Sequence, residues 1–189
     1  MPPKQKITKN MLLEHALKIA EKQGIMAVTS RSVAKSVGCS IQPVFSHFPT
    51  MEKLRQATFD YACDIFISEV LTFKQQPDFF SQITMWVLDL ARNRPNLFRL
   101  LYLSDGFNGS NFLEVMMEFE SNKIIVSKMA ELYCLDEDIC KDILLRSCLF
   151  LMGISTMICV NHMDFSDEQV AVMMKQTVSD MVNGAKGAL

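Results

Sequence analysis

The stretch SRSVAKSVGCSIQPVFSHFP, residues 30 to 49, constrains this chain more than any other. Two short helices that cross steeply need a small side chain where they touch, and Ala34 supplies it with Val33 beside it as a core anchor. Four residues later the backbone has to turn left-handed, where a Cβ is penalised, and Gly38 stands there between the small apolar Val37 and Cys39. Ser40 then reads as the N-cap of a second helix, in which Pro43 is tolerable because the first-turn amides have no intrahelical partner to lose. Val44 and Phe48, four apart, face inward, and Ile41, Gln42, Ser46 and His47 are left open.

The flanks agree with that reading. Upstream, Thr8 caps an amphipathic helix in which Leu12, Leu13, Ala16, Leu17, Ile19 and Ala20 form an apolar stripe, and Gly24 ends it. Downstream, Thr50 caps a further helix beginning MEKLRQATF. The set formed by ALKIAEKQG, VTSRSVAKSVGCS (through Thr29, Arg31, Ala34 and Gly38), VFSHF and the EKL of Glu52, Lys53 and Leu54 makes residues 7 to 60 resemble the N-terminal DNA-binding domain of the tetracycline-repressor (TetR) family.

The resemblance implies an all-α chain of two domains. Residues 1–56 would form a three-helix helix-turn-helix head, with 1–6 as a flexible basic arm, and residues 57–189 a helical ligand-binding and dimerisation domain. It also implies a cytoplasmic homodimeric transcriptional repressor, released from a palindromic double-stranded DNA operator by a small apolar or aromatic effector. A second class remains, a small-molecule binding or sequestering protein that keeps the fold with a weakened reader.

Charge is divided along the same line. Residues 1–56 carry nine Lys and Arg against three Glu, a balance of +6, and the remainder carries ten basic and eighteen acidic residues, a balance of −8. A basic head on an acidic body would turn the head towards a duplex. Thr29, Ser30 and Arg31 are expected near phosphate, Gln42 at an adenine edge, Ile41 at a thymine methyl, and Ser46 and His47 at sugar and phosphate. Ser40, Phe45 and Lys53 complete the expected DNA-facing set. Many family members place a Tyr at Phe45 and a phosphate-binding Lys at Met51, so Lys53, Arg55 or the N-terminal amides would have to supply what is lost.

Beyond the head the chain reads as helices from Thr50 to about Lys74 and near 78–93, 95–104, 110–134, 136–162 and 166–185. The run 144–160 is apolar, but at seventeen residues with Arg146 inside it fits a core helix better than a membrane span. With the helix after it, it resembles the family's dimerising pair, giving an expected interface of Ile143, Phe150, Ile154, Met157, Val170, Met174, Thr177 and Met181. The apolar and aromatic residues Trp86, Leu90, Phe98, Tyr102, Phe107, Phe112, Met116, Phe119 and Phe150 are the expected effector contacts, although any one of them is more often core.

His15, His47 and His162 are isolated and have no metal-ligand spacing, and neither a phosphate-binding glycine loop nor a nucleophile elbow occurs. The sequence therefore argues against an enzyme, and no metal or cofactor is expected. Six scattered cysteines without a CxxC pair read as reduced thiols, with Cys134 and Cys140 expected to be the most exposed.

Overall fold

The computed structural model describes residues 7–73, 79–106 and 112–187, apart from the side chains at 112 and 113. Among the described residues there are ten α-helices and no strand: α1 Lys9–Gln23, α2 Ser30–Val37, α3 Gln42–His47, α4 Met51–Thr72, α5 Phe79–Asn93, α6 Pro95–Tyr102, α7 Phe112–Glu118, α8 Glu120–Tyr133, α9 Glu137–Asn161 and α10 Asp167–Gly187. A 3-10 turn, Ile25–Ala27, links α1 to α2.

Where one helix was expected over 110–134, two occur. The break falls at Phe119, whose backbone is extended at φ −74° and ψ 121°, and the Asn122 side-chain amide donates to the carbonyl of Met116 at 2.7 Å. That bond serves a carbonyl at the end of α7, and no glycine or proline marks the site.

The chain divides into two compact units, Met1–Phe66 with Arg94–Gly106, and Ile67–Asn93 with Phe107–Leu189. The boundary expected at residue 56 lies inside the continuous helix α4, and α6 joins the head. Its attachment to α1 is specific: Arg94 Nε meets Glu21 Oε1 at 2.6 Å, and Asn96 Nδ2 donates to the Glu21 carbonyl at 3.1 Å. Leu97, Phe98, Leu100 and Leu101 are all buried along α6. They extend a head core that holds Leu12, Ala16, Val28, Val33, Val44 and Leu54 at full burial.

Gly106 closes this unit. The Gln56 side chain donates to its carbonyl at 3.1 Å, and a Cβ at this position would lie 2.6 Å from the ring of buried Phe59. Gly106→Ala must displace that ring, an overpacking cost of about 1–3 kcal/mol. Thermal unfolding of the variant checks this, and an unchanged midpoint would show that the ring moves freely.

In the second unit, Phe79 of α5, Ile125, Val126 and Met129 of α8, Cys140, Ile143 and Leu144 of α9 and Val182 of α10 share one core with Leu135. Arg92, at the end of α5, pairs with Asp167 and donates to the Phe165 carbonyl at 2.6 Å, tying α5 to the start of α10. By length and composition α9 could cross a membrane. Its buried residues, from Cys140 to Cys159, instead pack among α5, α8 and α10 within the unit.

Candidate nucleic-acid interface and effector region

The helix-turn-helix forms where the sequence places it. Thr29 Oγ1 accepts from the Ser32 amide at 3.1 Å and Ser32 Oγ accepts from the Thr29 amide at 2.9 Å, a reciprocal cap with Ser in place of the usual Glu. Gly38 takes the left-handed turn at φ 80° and ψ 33°, with its amide bonded to the Ala34 carbonyl at 2.9 Å. A substituent there would meet nothing within 4 Å, so backbone conformation and not space selects glycine.

Ser40 does not cap the second helix. Ile41 occupies the cap position in an already helical conformation, without a side-chain cap bond, and Pro43 lies in the first turn of α3. A cap at Ser40 would look for amides two and three residues on, and the second of these belongs to Pro43, which has none. Val44 and Phe48 are buried at 0% and 3% exposure, as their spacing predicts. Ile41, Gln42, Phe45, Ser46 and His47 all point outward.

Several expected contacts are already committed within the head. Ser30 is buried, so its side chain does not stand at the surface as a phosphate contact would, while Arg31 and Lys53 are exposed and Thr29 is half-buried in its cap. Ser46 Oγ donates to the Gln42 carbonyl at 3.0 Å. Arg55 braces the fold: Nε donates to the Val28 carbonyl and a terminal nitrogen to that of Met26, both at 3.3 Å. Two of its five donors are thereby used within the head, and Lys53 is the exposed cation near Met51.

The expected effector residues separate between the two units. Phe98 is fully buried in the head and packs against the Tyr102 ring at 5.1 Å, which also meets Phe66 edge-on at 5.9 Å. Trp86, Leu90, Met116, Phe119 and Phe150 lie in the second unit, where Leu90 is buried in the core and the others are half-buried. Phe107 and the Phe112 side chain fall outside the described residues. The polar tip of Trp86 is engaged, donating through Nε1 to Glu69 Oε2 at 3.1 Å. Nothing in the sequence points to Glu69, because a single half-buried carboxylate on a long helix carries no local signal.

Several solved structures share this architecture. The multidrug binding protein EbrR complexed with ethidium aligns with a TM-score of 0.62 at 16% identity, covering 94% of this chain and 99% of that one. EbrR complexed with imidazole aligns at 0.57 and 12% identity, covering 92% and 96%. A TetR transcriptional regulator from Rhodococcus sp. RHA1 aligns at 0.49 and 13% identity, covering 92% and 93%. No protein-family model matches the sequence, and no curated protein matches it. The chain has a TetR-type fold.

On this TetR-type fold the outward side of α9 differs from the one expected. Ile143, Ile154 and Val170 are buried within the chain at 2%, 5% and 0% exposure, and Met181 packs against the core. Phe150, Met174 and Thr177 are half-buried. The exposed apolar side chains are Leu149, Met157, Val160 and Met163 on and just after α9, with Val172 and Met173 on α10. Of the expected interface set Met157 is exposed, and half-buried Phe150 lies seven residues before it on the same side of α9. Gly153 lies on the same strip, and a Cβ there would meet nothing within 4 Å.

The thiols of this TetR-type fold are mostly shielded. Burial pushes Cys148 up to about 12, and burial assisted by the Asp60 and Asp64 charges does the same to Cys63. Cys140 is buried, contrary to expectation, and burial raises it as well. Cys134 is exposed. Among the described residues no group of His, Cys, Asp and Glu could hold a metal ion.

Proposed function

We propose that this protein is a cytoplasmic TetR-family transcriptional regulator that binds a near-palindromic duplex as a homodimer and releases it when a small aromatic molecule binds the second unit. The observation that carries the reading is α3, which with its cap residue Ile41 holds five side chains outward over buried Val44 and Phe48 at the surface of a basic head. Two such helices must reach successive major grooves about 34–36 Å apart, which requires a dimer. The exposed apolar strip of Leu149, Met157 and Val160 on α9 supports that association.

The EbrR likeness supports a planar aromatic effector. So does the Glu69 carboxylate held beside the Trp86 indole, which suits a ligand with positive charge. Release works only if the ligand prefers the non-binding conformation, and a hundredfold loss of operator affinity needs a coupling of about 2.7 kcal/mol.

Gln42→Ala should cost about 1–3 kcal/mol and relax discrimination at one operator position, because a carboxamide pairs with a single adenine edge. Binding to a panel of operators with single base-pair changes measures this. A loss spread evenly over the panel would place Gln42 on the backbone.

A further inference from the structure

Resting on the DNA-binding reading above, we propose that α3 recognises A·T pairs, reading thymine methyl groups with Ile41 and Phe45 and adenine with Gln42, and makes no Arg or Lys contact to guanine. From Ser36 to Glu52 the chain contains neither Lys nor Arg. The commonest specific contact to guanine, a bidentate Arg or Lys on O6 and N7, therefore has no donor on α3 or on the turns that flank it. The exposed cations Arg31 and Lys35 lie on α2 and Lys53 on α4, where they suit phosphate.

What α3 and its cap residue display instead includes two large apolar side chains. Ile41 and Phe45 are 46% and 43% exposed, and their spacing of four places them on one strip of the helix. The edges of the base pairs offer one apolar group in the major groove, the C5 methyl of thymine. Phe45 lacks a hydroxyl with which to bind phosphate, so its ring is available for that contact. Gln42, next to Ile41, is exposed and can hold the N6 and N7 of an adenine. Ser46 has given its proton to the Gln42 carbonyl, leaving an acceptor, and His47 ends the helix.

The test uses the full-length protein. A selection from random duplex defines its preferred site, which is then rebuilt with each thymine in turn replaced by uracil, a change that removes only the methyl. The selected half-site should carry A·T pairs across the α3 footprint, and each contacted uracil should weaken binding about fourfold, the worth of one buried methyl-sized group. Ile41→Ala and Phe45→Ala, both at exposed positions, should each abolish the thymine-to-uracil difference at one position. Specific binding to a site with G·C pairs across that footprint, or equal affinity for thymine and uracil duplexes, would overturn the inference and leave the DNA reading standing. Failure to enrich any sequence would remove the DNA reading and this inference with it.

Discussion

Phe98→Ala should destabilise the head by about 3–5 kcal/mol, the usual cost of removing a fully buried phenyl ring. Phe98 is 0% exposed and its ring lies 5.1 Å from that of Tyr102, on a helix that Glu21 ties to α1 through Arg94 and Asn96. The cavity would open in the unit that contains α3, so DNA binding should fall together with stability. Chemical denaturation followed alongside duplex binding checks both. A variant of normal stability with altered effector affinity would return Phe98 to the ligand-contact role that its sequence position first gave it.

Met157→Glu should separate the dimer with little effect on the fold of each subunit. Met157 is 46% exposed, and surface changes of this kind usually shift stability by less than about 0.5 kcal/mol. On the self-associating face proposed above, the introduced carboxylate must be desolvated opposite its own copy. Loss of the second reader should lower operator affinity by about a hundredfold or more, since linked binding contributes roughly 10²–10⁴. Sedimentation of the variant beside the parent measures the first effect, and titration with duplex the second. An intact dimer of the Met157→Glu variant would move the interface away from the strip of Leu149, Met157 and Val160.

These two substitutions mark where the sequence was legible. In the head, the residues that matter are local signals: Thr8 and Thr29 cap their helices, Gly38 takes the left-handed turn, and Val44 and Phe48 are buried at the spacing that predicts it. Ser40 has the residue type of a cap but not the role, because Pro43 has no amide to donate to it. The commitment of Arg55 to the Val28 and Met26 carbonyls was invisible, being a contact across 27 and 29 residues.

In the body, pattern alone could not give the phase of α9. Its run from Leu144 to Val160 is apolar on nearly every side, so no stripe distinguishes the core side from the outward side. Only packing against α5, α8 and α10 separates buried Ile143, Ile154 and Ile158 from exposed Leu149, Met157 and Val160. The attachment of α6 to α1 depends on Glu21, more than seventy residues away, and follows from no periodicity. The break at Phe119 carries none of the residue types that normally mark one.

Whether the head binds a specific duplex decides the central claim most directly. The measurement is a salt titration of the full-length protein against its selected palindrome and against random duplex of equal length. Binding to the palindrome should be tight and should weaken steeply as salt rises, at least about a thousandfold above random DNA at roughly physiological salt. Equal, weak binding to both duplexes would contradict the claim and leave a ligand-binding protein that has kept the fold without the reader.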